Sequence, residues 1–358
     1  MTSLSKFPIL QLPRLALQNV LSNFQYEEMF MLLICYPKIR HFKLLSPKMR
    51  KSHKIVVEII STSPAIGFFW HRKCLLKPVY CLVEAHRRTG KPFRKHSESF
   101  EIDGVKGTLV VSHHYHTYWE DEKKGAEVLL ELLCDMFRVD VEKLVIKKST
   151  MWALDWIKRR QVTPVQELMV LEDRKKKKKK KHLLTVEDVE QILTNSRCSA
   201  YDVTLWAEIP PDLKYLIFTP ANFKYLILLN RTWLTLNILF DLCETCQEIT
   251  IAGSNFRVRE MKQIIKHWLM NKMRSIKDLH FEVSGFARGR LEILERLIEY
   301  VTNLYEETNI EYFKGEVTYL NEGFEFRRED GAVIKLWNYP NTDFVKLTFY
   351  RGAKLGDI

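Results

Sequence analysis

Leu17, Val20, Leu21 and Phe24 recur at i, i+3, i+4 and i+7, and Met29, Leu32, Leu33 and Tyr36 repeat that spacing. This pattern predicts two short amphipathic helices in succession. Pro13 suits a first helical turn, where a missing N–H costs nothing, and the polar stretch Gln25 to Glu28 separates the two. A segment of about forty residues built this way buries too little apolar surface to be stable alone. Its apolar faces need a partner or the rest of the chain.

From Ile55 to Val111 the period changes to that of strands. The runs IVVEII, IGFFW, VYCLVE, FEI and TLVV are rich in branched and aromatic residues and are punctuated by Pro64, Gly67, Pro78, Gly90, Pro92 and Gly104, which predicts a small, mostly antiparallel sheet. After Gly125, AEVLLELLCDMF has helical spacing and VEKLVI that of a strand. Further apolar strands follow in ELMVL, DVTLW, KYLILL, QEITIA and DLHFEV. Their anchors Leu144, Leu168, Val203, Leu226, Ile249 and Leu279 lie roughly 23 to 35 residues apart, most of them near the roughly 20 to 29 residues of a leucine-rich-type unit. VEDVEQILTN, TLNILFDL and REMKQIIKHWL, between these strands, have helical spacing. The segment from Gly315 to Phe349 returns to strands, with a turn at Asp330-Gly331.

Charge adds one local feature. The net charge of +12 includes eight charges from Arg174, Lys175, Lys176, Lys177, Lys178, Lys179, Lys180 and Lys181; the rest of the chain carries +4. The basicity therefore belongs to one tract inside the longest strand spacing, which weakens a nucleic-acid reading. A solvated loop, a nuclear import signal and a nucleic-acid contact all remain open for it, in that order of preference. The apolar start from Phe7 to Phe24 is broken by Gln11, Pro13, Arg14, Gln18 and Asn19, and Met29 to Tyr36 is too short to span a bilayer. A cytoplasmic and/or nuclear protein without membrane contact is the expectation. Seven scattered cysteines, mostly among apolar neighbours, fit thiols of a reducing compartment rather than a disulfide framework.

Catalytic motifs are missing from the sequence: there is no GxxxxGK[ST], no HExxH and no GxSxG. Cys243 and Cys246 form a CxxC with no second pair to complete a zinc shell, so core cysteines at a helix end are expected. His113, His114 and His116 resemble ligands, but no acidic or cysteine partner is adjacent in sequence, which favours solvated strand-end histidines. Tyr118, Trp119, Glu120 and Asp121 suit either a binding surface or the cap and first turn of a helix. A non-enzymatic chain without metal or other cofactor is expected.

Phe7-Pro8, Leu12-Pro13, Leu17, Val20-Leu21 and Leu32 to Cys35 resemble the F-box of the large nematode-type F-box family. The remainder is similar to that family's type 2 F-box-associated domain in Thr117 to Phe137, Leu154 to Gln161, Asn230 to Cys243, Ile249 to Leu269 and Gly323 to Leu336. Tyr36-Pro37 stands where the family carries Ser-Lys, and Pro37 should end the second helix. RVREMK (257–262) is more basic than the family's segment, and the lysine tract is not a family feature.

The resemblance implies an α+β chain: an F-box at 5–48, a β-rich linking module at 54–116, and an F-box-associated domain at 117–352. The last would be an irregular leucine-rich-repeat-like strand–helix solenoid with C-terminal strands and a lysine-rich insertion at 173–182. It also implies a substrate-recognition role in a Skp–cullin–F-box ubiquitin ligase. Leu12, Pro13, Leu17, Val20, Leu21, Leu32 and Leu33 would then carry docking on a Skp-type adaptor or F-box packing. Through that adaptor the chain would meet a cullin-RING ligase, and its C-terminal domain would bind a protein substrate. The alternative from the residues alone is a basic nucleic-acid-associated or nuclear scaffold protein using the oligolysine.

Overall fold

The computed structural model describes residues 12–24, 26–35, 53–58, 65–70, 81–89, 97–112, 115–172, 184–194, 200–207, 222–229, 234–270, 273–307, 315–320, 323–328, 331–339 and 342–350. Both helices and strands are present, as an α+β chain requires. The chain divides into two compact units, Met1–Val165 and Gln166–Ile358. That division falls inside the segment 117–352 that the sequence assigns to a single domain.

Unit 1 opens with helices α1 (Arg14–Ser22) and α2 (Tyr26–Cys35). Pro13 is the N-cap of α1, one position outside the first turn. The break is shorter than the polar stretch suggests, since Glu27 and Glu28 already belong to α2. Pro37 lies outside the described residues. Seven strands follow: β1 (His53–Glu58), β2 (Ala65–Trp70), β3 (Cys81–Arg87), β4 (Ser97–Ile102), β5 (Val105–Val111), β6 (Tyr115–Trp119) and β7 (Val141–Lys147). Their spatial order is β7-β1-β2-β3-β6-β5-β4. The pairs β1–β2, β2–β3, β4–β5 and β5–β6 are antiparallel, whereas β3–β6 and β1–β7 are parallel.

Strand β7 carries Leu144, which its spacing assigns to the strand–helix series of the second half. It also pairs in parallel with β1 in unit 1, a strand almost ninety residues earlier, and that contact leaves no periodic trace. Helix α3 (Glu122–Phe137) starts at Asp121, whose carboxylate accepts from the Lys124 N–H at 3.0 Å. Asp121 is thus the helix cap, while Trp119 is a fully buried strand residue. Helix α4 (Trp152–Arg160) ends at Gln161, a buried amide that pairs with both backbone groups of Val141: Oε1 accepts from its N–H at 2.9 Å and Nε2 donates to its carbonyl at 3.0 Å.

Unit 2 contains five consecutive parallel strands, β8 (Glu167–Leu171), β9 (Asp202–Trp206), β10 (Tyr225–Leu229), β11 (Glu248–Phe256) and β12 (Asp278–Val283), each paired with its neighbours in sequence. Helices α5 (Val186–Thr194), α6 (Leu236–Thr245) and α7 (Val258–Leu269) connect them. Each helix starts where a side chain takes up free N–H groups. Thr185 and Asp188 cap α5 reciprocally at 2.8 and 3.1 Å, Thr235 caps α6, and Glu260 accepts from the Arg257 N–H at 2.9 Å on α7.

Helix α8 (Phe286–Glu307) leads to β13 (Gly315–Leu320), β14 (Gly323–Arg328), β15 (Val333–Asn338) and β16 (Phe344–Tyr350), and β16 adds antiparallel to β12. The first turn of α8 is capped from a distance. Asp343 accepts from the Ala287 N–H at 2.8 Å and the Gly285 N–H at 3.3 Å. In β11, Gly253 at φ +73° allows a bulge, and the Ser254 hydroxyl bridges it by donating to the Glu282 carbonyl and accepting from its N–H, at 2.7 and 2.8 Å. That accounts for the glycine–serine pair in ITIAGSNF.

Candidate functional site

The parallel strands of unit 2 separate two faces by simple alternation. Leu168, Val170, Val203, Leu205, Leu226, Leu228, Ile249, Ile251, Leu279 and Phe281 are all buried. The helices cover this face: Met261, Ile264, Ile265 and Trp268 of α7 are buried, and the Trp268 ring meets Phe326 and Phe349 at 6.4 and 6.2 Å. Alternate positions form rows across the other face. In register run Glu167, Asp202, Tyr225, Glu248 and Asp278, followed by Thr348, Lys335 and Glu325. The next row is Met169, Thr204, Ile227, Thr250, His280, Lys346 and Trp337, and beyond it Leu171 pairs with Trp206 and Leu229 with Ala252.

This face is mixed in the way protein-binding surfaces are, with apolar and aromatic side chains beside fixed charges. Trp206 is 52% exposed. Asp278 accepts from Lys346 at 3.0 Å and from the Thr348 hydroxyl at 2.7 Å. Glu325 is held by Lys335 at 3.0 Å and Arg327 at 2.8 Å; the Lys335 hydrogen bond, followed by that of Arg327, keeps its carboxyl below the usual range despite partial burial. Burial pushes the Asp202 and Glu248 carboxyls up, and Lys224 opposes the shift at both. One carboxylate oxygen of Asp202 is buried and makes no hydrogen bond among the described residues. Burial and the nearby Lys346 hold His280 below its ordinary value, so it is neutral near pH 7. At the end of the strands where this row starts lies a cleft of about 1420 Å³, lined by Tyr201, Lys224, Gln247, Lys277, Trp337, Tyr339 and Tyr350 among others.

The residues that the sequence assigned to adaptor contact or packing separate into two groups. Leu17 and Leu21 are 2% exposed, Leu33 is fully buried and Leu32 is buried. Pro13 is exposed, and Leu12 and Val20 are half-buried. Leu15, at 75% exposure, is the large apolar side chain most open to solvent on α1. Helix α2 lies against the sheet of unit 1, where Phe30 meets the Tyr115 ring at 5.2 Å and the Cys35 thiol contacts Glu98 at 3.4 Å. Arg174 to Lys181 lie outside the described residues.

The CxxC cysteines are buried where α6 ends, Cys246 being its C-cap. Burial raises both thiols, Cys246 to about 11 and Cys243 well above the ordinary value.

One grouping was not legible from neighbours in sequence. His116 has an acidic partner after all: Glu84 lies beside it in the parallel register of β3 and β6, with Oε2 at 3.1 Å from Nδ1, and His86 completes the group. His113 and His114 lie outside the described residues.

Residues 215–281 match the F-box associated family. The match covers β10, α6, β11, α7 and most of β12, the middle of the strand–helix series that presents the open face. It supports an F-box-associated domain in unit 2. No curated protein matches the chain. No described helix is long and apolar enough to cross a membrane.

Proposed function

We propose that this chain is a substrate-recognition adaptor of a Skp–cullin–F-box ubiquitin ligase. Its N-terminal helices dock on a Skp-type adaptor, and the open sheet face of unit 2 receives the protein to be ubiquitinated. The observation that carries this reading is the F-box-associated match at 215–281, together with the resemblance of the α1–α2 segment to an F-box. Five parallel strands paired in sequence order support the leucine-rich-repeat-like description, since such stacking leaves one strand face available to a partner. The chain itself performs no chemistry and needs no cofactor for this task; ubiquitin transfer is carried out by other members of the complex. Cytoplasmic or nuclear residence belongs to the same reading, with which the free thiols of Cys35, Cys134, Cys243 and Cys246 agree.

The structure improves the choice of test variants. Leu17→Ala and Leu21→Ala remove buried side chains and disturb packing and docking together. Leu12→Glu with Leu15→Glu alters more accessible positions. Co-purification of the full chain with a Skp-type adaptor should be lost in this double variant while its circular dichroism stays that of the parent. Undiminished capture would remove the docking assignment. On the other surface, Trp206→Ala should reduce recovery of proteasome-stabilised targets by proximity labelling and leave adaptor capture intact. An unchanged target set would exclude the open face as the receptor surface.

A further inference from the structure

We propose that Glu84, His86 and His116 form a binding site for a divalent transition-metal ion of the Zn²⁺ type, clasping β3 to β6. Glu84 and His86 are two apart on β3 and so project from the same side of the strand. His116 is the register partner of Glu84 on β6. Three ligand atoms therefore converge from two strands: His86 Nε2 to Glu84 Oε2 is 3.0 Å, His116 Nδ1 to Glu84 Oε2 is 3.1 Å, and His86 Nε2 to His116 Nδ1 is 3.1 Å.

This triangle has the size a metal requires. A cation about 2.1 Å from each corner would sit about 1 Å above its plane with ligand–metal–ligand angles of about 90–95°. That is the facial arrangement of two imidazoles and one carboxylate, with the remaining positions open to water. The side chains retain 23–25% exposure, which gives an ion access.

Hydrogen bonding alone accounts for the triangle poorly. If both imidazoles direct N–H at Glu84, two N–H groups face one another across 3.1 Å. If one ring gives up that hydrogen to accept from the other, one edge to the carboxylate loses its donor. A cation uses one lone pair from each of the three atoms at once.

The surroundings have the form of an outer shell. The far nitrogen of His116, Nε2, lies 2.9 Å from the Ser112 hydroxyl, which would fix the tautomer that frees Nδ1. Tyr118 stacks on the His86 ring at 5.0 Å and holds its plane.

The test uses the full chain freed of any affinity tag and of metal. Titration with Zn²⁺ should show one equivalent bound, with a rise in melting temperature. Co²⁺ should give ligand-field absorption without a thiolate charge-transfer band. His86→Gln and His116→Gln, checked for folding by circular dichroism, should each weaken Zn²⁺ binding at least about tenfold, and Ser112→Ala should weaken it about tenfold or more. The proposal is overturned if the parent binds no equivalent of Zn²⁺, if both histidine variants bind it as the parent does, or if the cobalt spectrum shows thiolate ligation.

Discussion

Gly125, in the first turn of α3, lies against the indole of Trp119 so closely that a β-carbon at that position would stand 2.2 Å from Cγ of the ring. The ring is fixed on its other sides. Its Nε1 donates to the Thr117 hydroxyl at 2.8 Å, that hydroxyl donates to the Glu84 carbonyl at 2.9 Å, and Phe100 meets the ring edge-on at 5.1 Å. Trp119 therefore cannot retreat, and the helix must approach with no side chain. Gly125→Ala should destabilise unit 1 by about 1–3 kcal/mol through overpacking, measured by chemical denaturation. Trp119→Phe in the same chain should recover part of the loss, because the smaller ring leaves room for the added methyl.

Leu17 and Leu15 stand on the same short helix with opposite surroundings, 2% and 75% exposed. Leu17→Ala should cost about 2–5 kcal/mol, the usual range for deleting a buried leucine side chain. Leu15→Ala should stay within about 0.5 kcal/mol. Equal effects in thermal melts would mean that α1 does not pack as described.

The Glu325 carboxylate should give a pH-dependent contribution of defined sign. Its folded value lies below the ordinary 4.5, chiefly because Lys335 hydrogen-bonds the charged form. The contribution is fully present above 4.5 and is lost as pH falls through the lower folded value. Glu325→Gln should therefore be less stable than the parent at neutral pH, and the gap should close under acid. Urea midpoints measured across that window check it.

Thiol reactivity should follow burial. Cys134 is pushed up to about 12 and Cys246 to about 11 by burial, and Cys243 is fully buried. Cys35 is exposed, yet its thiol is raised to about 11 by partial burial and by Glu98. Since the thiolate is the reactive form, iodoacetamide near neutral pH should label all four slowly in the native chain and readily after denaturation. Peptide mapping by mass spectrometry distinguishes them.

Asp343, the residue before β16, caps α8 from a distance. Asp343→Ala should cost about 0.5–2 kcal/mol, the range for losing a helix N-cap. Asp343→Asn should retain much of that stability, because its side-chain oxygen still accepts. Equilibrium unfolding of both variants tests the cap.

These relationships mark what could be inferred before coordinates. Local period made β8 to β12 and their helices legible, because each buries one row against the other and alternates where the sequence alternates. The closing turn was legible too, since Gly331 has φ +81°. Helix α8 was not among the expected elements: it follows a glycine with φ +78°, is broken in its geometry at Gly289, and receives its cap from a residue 56 positions later. The pairing of β7 with β1 was not legible either, because β1 is remote in sequence. The same long-range register concealed the Glu84–His116 pair, which neighbouring residues could not reveal. On the open face, the strands were foreseeable and the row of Asp202, Glu248 and Asp278 was not, since a row exists only once the registers are set.

The pairing of β9, β10 and β11 strictly with sequence neighbours has a consequence for change over time. A whole strand with its following helix can be gained or lost there by one internal duplication or deletion, and the flanking strands can close up in the same parallel sense. No distant partner is orphaned by such an event. The open sheet face can therefore be lengthened or shortened in steps of one unit, and an altered face needs no new topology to support it.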